Sequence, residues 1–137
     1  MKKITWFLFL SLFIIQACSL KTEEPVNEDQ VRRYGWIIKV KPEKLVEYKA
    51  LHADPWPGVD SMLKECNIRN YSIYYRDGNL FSYLEYTGVN FEKDMEKMAE
   101  DSLTQAWWAL TDPCQYPVES AAEGVWWEDM EELYHLN

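Results

Sequence analysis

Apolar and polar positions alternate over three short segments of this 137-residue chain, and a period of two is typical of β-strands. The segments cover residues 34–40, 69–76 and 80–87. Residues 77–79 (Asp-Gly-Asn) separate the last two and suit a tight turn, because these residue types tolerate positive backbone angles. The pattern predicts one strand, followed later by a β-hairpin.

The segments between and after these strands have the spacing of helices, with apolar residues three or four positions apart. Helices are predicted from near Pro42 to the break at Pro55, and over 58–66, 91–100 and 102–110. Ser102 is the expected cap of the last helix. Residues 111–123 are predicted to form a loop, and Leu133 to Leu136 a final strand.

The order strand, helix, hairpin, helix, strand is that of the split βαβ motif. We therefore expect an α+β, ferredoxin-like fold in which helices cover one face of an antiparallel sheet. About 105 residues remain after the N-terminal region, which suits one compact domain over 32–137.

The N-terminus has the pattern of a bacterial export signal. Lys2 and Lys3 precede an apolar stretch that is too short to span a bilayer about 30 Å thick as a helix. The stretch ends at Ala17-Cys18, which resembles a lipobox, so residues 1–17 are predicted to be removed and Cys18 to be lipidated. Residues 18–31 are polar and would form a flexible tether. The expected location is the bacterial cell envelope, with an uncleaved N-terminal anchor as the second interpretation.

Charge and cysteine content exclude several classes of partner and ligand. The net charge of −9 disfavours nucleic acid and anionic lipid surfaces as partners, because both are recognised by basic patches. No Cys/His spacing indicates zinc, so no metal is expected. Cys66 and Cys114 end helical regions at opposite edges of the predicted sheet, and we expect two free thiols.

Tyr48 and His52 are four residues apart and share one face of the first helix. His52 lies near the C-terminus of this helix, where the macrodipole favours the imidazolium and makes the ring a candidate proton donor near neutral pH. A lone histidine in an aromatic setting is more often a packing residue, so this pair alone does not predict catalysis.

Trp107 and Trp108 are neighbours about 100° apart on a helix, so both cannot point into the same core. One is expected to pack in the core and the other to face a cavity or a partner. If only one of them contacts ligand, Trp108 is the expected core residue. By alternation, Tyr71 is a core aromatic on the second strand, on the same face as Ile73 and Tyr75.

Five motifs together resemble the L-rhamnose mutarotase family over about residue 33 to the C-terminus. Their order and approximate spacing match that family, which makes the set far more specific than any single motif. The motifs are Tyr48 with His52, Pro55-Trp56-Pro57, Asn70-Tyr71-Ser72-Ile73-Tyr74, Gln105-Ala106-Trp107-Trp108, and the ending from Trp126-Trp127 to Leu136.

The resemblance implies an isomerase that interconverts the α and β anomers of L-rhamnose without a cofactor, on a homodimeric α+β barrel. It implies His52 as the general acid and Tyr48, Tyr71, Trp107 and Trp108 as sugar contacts. The general base stays open among Asp54, the Tyr48 hydroxyl and an ordered water.

The chain departs from the family pattern at two positions that often carry a basic residue, now Ala106 and Leu51, and a sugar hydroxyl contact is expected to be lost. Two other functions remain open. One is a non-catalytic sugar-binding lipoprotein of the envelope. The other is a monooxygenase-like protein on the same architecture, with His52 as an iron ligand.

Overall fold

The computed structural model describes residues 31–136. The predicted signal peptide, Cys18 and nearly all of the predicted tether lie outside these residues. Within residues 31–136, no helix has the length and apolar character needed to cross a membrane. The strands are β1 (Arg32–Val40), β2 (Ile68–Arg76), β3 (Asn79–Tyr86), β4 (Gln115–Tyr116) and β5 (Glu128–Asp129), and the α-helices are α1 (Leu45–Ala53), α2 (Pro57–Glu65), α3 (Phe91–Glu100) and α4 (Ser102–Thr111).

The strands form one antiparallel sheet in the order β2-β3-β1-β4, and β5 also pairs with β1. The β2–β3 hairpin turns at Asp77 and Gly78, whose φ angles of 49° and 82° are those of a type I′ turn. The α+β fold with an antiparallel sheet and helices on one side is confirmed, and it is of the ferredoxin-like type.

The predicted final strand over Leu133–Leu136 is wrong, since these residues form no strand. Leu133 is 86% exposed and Leu136 is 76% exposed, so these apolar side chains have no core to pack against. The edge of β1 is instead completed by β4 and β5, and β4 lies within the predicted loop.

Capping groups set where α3 and α4 begin. The Asn90 side chain accepts a hydrogen bond from the Lys93 amide before α3. The Asp101 carboxylate accepts one at 2.7 Å from the Thr104 amide, so Asp101 is the cap of α4 and Ser102 is its first helical residue. The expectation of Ser102 as the cap was off by one residue, because Asp101 holds the extended backbone that a cap requires.

Two buried clusters occupy the space between the sheet and the helices. The first contains Tyr48 and Cys114, together with Ile38, Val40 and Leu80. The second contains Cys66 and Met98, together with Ile68, Leu84 and Tyr86. The prediction of two free thiols is confirmed, with one buried cysteine in each cluster.

Candidate active site

A cavity of about 980 Å³ lies between the inner face of the sheet and the helices. All five residues predicted to act on a sugar line it: Tyr48, His52, Tyr71, Trp107 and Trp108. They come from α1, β2 and α4, so the fold brings together residues that are up to 60 positions apart in the chain.

His52 is held by its own helix. Its ring stacks on the ring of Tyr48, with centroids 4.1 Å apart and planes 29° apart. Its Nδ1 lies 3.0 Å from the backbone oxygen of Tyr48. Because a carbonyl oxygen can only accept, Nδ1 carries a hydrogen and Nε2 is the nitrogen left for a ligand.

Burial lowers the pKa of His52 below its usual 6.5, and the hydrogen bond to the Tyr48 carbonyl opposes that change only in part. The direction is opposite to the one expected from the helix macrodipole. Desolvation of the half-buried ring dominates, since it disfavours the charged imidazolium. His52 is therefore mainly neutral at pH 7, and the imidazolium is a minor form.

Of the two neighbouring tryptophans, Trp107 is buried in the core and Trp108 is partly exposed at the cavity wall. Trp107 is 6% exposed and Trp108 is 37% exposed, so the expectation that Trp108 is the core residue was wrong. Trp107 packs edge-on against His52, with ring centroids 5.5 Å apart, and at the same centroid distance against Trp56. Trp107 fixes the position of the imidazole, and Trp108 lies at the more open part of the wall.

A β-bulge positions Tyr71. The pairing of β2 with β3 shifts between Arg69 and Ser72, and Asn70 has a positive φ of 47°. A bulge of this kind re-aims the next side chain. Tyr71 then lines the cavity with Ile73 and Tyr75, on the face that the alternation predicted. It is 40% exposed, so the expectation of a core aromatic was wrong. Desolvation of its hydroxyl raises the pKa of Tyr71 to about 12, so this group stays protonated.

Gln115 is a cavity residue that sequence reasoning missed. It is 4% exposed, and its Nε2 donates to the Tyr48 hydroxyl at 3.3 Å. Burial raises the pKa of Tyr48 well above its usual range, so its hydroxyl keeps its proton. Because Gln115 occupies a lone pair of that oxygen, the Tyr48 O–H is free to donate into the cavity. No sequence signal marked Gln115, which lay in a predicted loop.

The C-terminal segment completes the wall. Trp126 and Trp127 both line the cavity, and Trp127 also packs against the first buried cluster. Trp36 lines it from β1, and its Nε1 donates to the Asp129 carboxylate at 2.5 Å. The segment is thus tied to the sheet next to the cavity.

Three residues singled out from the sequence do not line this cavity in the described part of the chain. They are Asp54, one of the candidate bases, and the two departures Leu51 and Ala106. The expected loss of a sugar hydroxyl contact at Leu51 and Ala106 stays a prediction. Within residues 31–136, no group of three His, Cys, Asp or Glu side chains is placed to hold a metal ion.

Comparison with known proteins identifies the family. The family model described as L-rhamnose mutarotase matches residues 33–136. The L-rhamnose mutarotase of Oceanobacillus iheyensis is 31% identical over 109 residues, which cover 78% of this chain and 100% of that protein. The L-rhamnose mutarotase of Bacillus subtilis is 35% identical over 85 residues, which cover 61% of this chain and 79% of that protein.

Solved structures agree on the fold. The L-rhamnose mutarotase of Formosa agariphila superposes with a TM-score of 0.61 at 19% identity, covering 77% of this chain and 99% of that one. Tetracenomycin F2 cyclase from Streptomyces glaucescens superposes with a TM-score of 0.57 at 12% identity, covering 77% of this chain and 97% of that one. The match over residues 33–136 decides between the functions that this fold can carry: the chain belongs to the L-rhamnose mutarotase family.

Proposed function

We propose that this protein interconverts the α and β anomers of L-rhamnose, or of a similar 6-deoxy sugar, in the cavity that contains His52. Family membership supports the reaction. The observation that carries the proposal is the placement of His52, whose ring is clamped between Tyr48 and Trp107 and whose Nε2 is left for a ligand.

Anomer exchange requires little chemistry. The pyranose ring opens when its oxygen gains a proton and the anomeric hydroxyl loses one, and closure on the other carbonyl face reverses both transfers. The imidazolium of His52 is the proton donor to the ring oxygen. Proton transfer by a positioned side chain contributes about 10²–10⁴-fold, which suffices for a reaction that already proceeds in water.

The aromatic wall suits a deoxy sugar. A 6-deoxy sugar has a methyl group and an apolar ring face, which pack on flat side chains, while its hydroxyls need polar partners. Trp107, Trp108 and Tyr71 offer the flat faces, and the Tyr48 hydroxyl is a hydrogen-bond donor whose acceptor side is occupied by Gln115.

The protein also acts as a homodimer in this proposal. Ile38 and Leu80 are buried on the inner face of the sheet, so their neighbours Ile37 and Phe81 face outward. Ile37 pairs with Phe81 across β1 and β3, and Phe81 pairs with Tyr74 across β3 and β2. This apolar row spans the outer face, and a second copy that stacks on it would cover it.

Lipidation of Cys18 would place the domain at the bacterial cell envelope. This part of the proposal rests on the sequence before residue 31, namely the short apolar stretch that ends at Ala17-Cys18 and the polar run that follows.

Polarimetry of freshly dissolved crystalline L-rhamnose separates an enzyme from a binding protein. The wild-type chain at catalytic concentration is expected to shorten the time to optical equilibrium, with protein-free buffer as the control. If adding rhamnose quenches the tryptophan fluorescence of the protein but the polarimetric rate is unchanged, the protein is a sugar-binding protein instead.

A further inference from the structure

The reaction needs a second group that exchanges a proton with the anomeric hydroxyl while His52 acts at the ring oxygen. Of the side chains considered from the sequence, Asp54 does not line the cavity within the described chain. The Tyr48 hydroxyl is a poor acceptor of this proton, because Gln115 already donates to it. Asp60 and Asp112 are the carboxylates among the described residues that line the cavity.

Asp112 lies where the two helices of the site meet. It directly follows α4 and begins the short 3-10 turn Asp112–Cys114. One helical turn separates it from Trp108, so both lie on the same side of the chain as it leaves α4. The turn packs against α1, the helix of His52, and Cys114 shares a buried cluster with Tyr48.

Asp60 is placed less well for this role. It lies in the first turn of α2, and that helix packs on α4 and β2. The turn of Asp112 instead packs on the helix that carries both His52 and Tyr48. Of the two carboxylates, Asp112 is therefore the one whose 3-10 turn packs directly on α1, the helix of the proton donor His52.

We propose that Asp112 is the second catalytic residue, the one that exchanges a proton with the anomeric hydroxyl. This inference rests on the proposed mutarotase function. As the bond from the anomeric carbon to the ring oxygen breaks, its electron pair goes to the ring oxygen, which takes the proton from Nε2 of His52. The hydroxyl proton passes to the Asp112 carboxylate, and the anomeric carbon becomes the carbonyl of the open-chain sugar.

The cycle closes without any other reactant. After rotation about the bond between the first two carbons, the ring hydroxyl attacks the other face of the carbonyl and returns its proton to Nε2 of His52. Protonated Asp112 gives its proton back to the new anomeric oxygen. Both side chains end in the states in which they began, and no atom is oxidised or reduced.

The surroundings of Asp112 agree with such a role. By surface area Asp112 is an exposed residue, and partial desolvation still raises the pKa of its carboxyl group, with no charged neighbour as a cause. The other charged or titratable side chains that line the cavity are Tyr48, Lys49, His52, Asp60, Tyr71 and Tyr75. Glu47, Lys44 and Lys41 act on the neighbouring Cys114. A raised carboxyl pKa and a lowered imidazole pKa approach each other, which eases proton movement between the two groups through the sugar.

Saturation-transfer NMR on the two anomeric protons of L-rhamnose tests the inference with the full chain and its variants. Asp112→Asn keeps the shape of the side chain but cannot take the proton, and we expect the catalysed exchange rate at saturating sugar to fall about 10²-fold. Rhamnose binding, followed by tryptophan fluorescence, is expected to change less than threefold. Asp112→Glu restores a carboxylate and is expected to recover part of the rate.

The pH profile distinguishes proton transfer from a structural role. The exchange rate of the wild type is expected to fall at low pH as Asp112 becomes protonated. The remaining exchange rate of Asp112→Asn is expected to lack this decrease. Glu96→Gln, at an exposed carboxylate of α3, is the matched control and is expected to behave as wild type.

Two results would overturn the inference. An Asp112→Asn rate within threefold of wild type would remove Asp112 from catalysis while leaving the mutarotase function intact. A wild-type chain that does not accelerate exchange at all would overturn the function and, with it, the role of Asp112.

Discussion

The buried hydrogen bond between Gln115 and Tyr48 is expected to contribute to the stability of the fold. The Gln115 amide donates to the Tyr48 hydroxyl at 3.3 Å, and both side chains are at least 95% buried. Tyr48→Phe leaves the amide without its acceptor, and an unsatisfied buried donor costs about 1–3 kcal/mol. Gln115→Leu removes the amide itself, and its cost is about 0.5–1.5 kcal/mol, the net value of one hydrogen bond.

The double variant decides whether these costs arise from the bond. When both partners are replaced by apolar groups, no buried donor is left unsatisfied, so the loss is expected to be smaller than the sum of the single losses. The interaction free energy is expected to be about 1 kcal/mol, which exceeds the scatter of about 0.3–0.5 kcal/mol for independent sites.

Urea unfolding of the wild type, the two single variants and the double variant measures these free energies. Tyr134→Phe is the matched control, because Tyr134 is 78% exposed and does not line the cavity, and it is expected to change the free energy of unfolding by less than about 0.5 kcal/mol. Additive losses in the double variant would contradict this prediction, since they would mean that the amide and the hydroxyl do not interact.

Three further predictions concern titration, anchoring and assembly. The pKa of His52 in the folded chain lies below its unfolded value of 6.5, so the unfolded chain binds a proton at this residue more readily. The free energy of unfolding is therefore expected to fall as the pH drops through 6.5, and to fall less in His52→Gln. Cys18→Ser is expected to move the protein out of the membrane fraction on cell fractionation, and retention there would indicate an uncleaved anchor. Light scattering on protein lacking residues 1–29 is expected to give the mass of a dimer, and Phe81→Lys, on the outer face of the sheet, is expected to shift it to that of one chain.

The sequence predicted the regular elements because each has a period that burial enforces. The hairpin turn at Asp77 and Gly78 depends on local chemistry alone, and it lies where it was expected. The predicted strand over Leu133–Leu136 has apolar residues but no inner face to pack against. Alternation indicates a strand only where another surface buries one side of it, and the sequence does not show that surface.

The site was predictable to the extent that its residues lie on regular elements. Tyr48 and His52 are one turn apart on a helix, so their shared face follows from spacing. The burial of Trp107 rather than Trp108 depends on how α4 is rotated against the sheet, and neighbouring residues carry no information about that angle. Gln115 and Asp112 follow the end of α4, where no period applies, and tertiary packing alone brings them to the cavity.

The central claim is that His52 transfers protons to and from a sugar in this cavity. Saturation-transfer NMR on L-rhamnose, with wild type and His52→Ala at equal concentration, tests it most directly. The wild type is expected to accelerate anomer exchange. His52→Ala is expected to lose at least about 10²-fold of the catalysed rate while its thermal unfolding and rhamnose binding are retained. Equal exchange rates for the two proteins would contradict it.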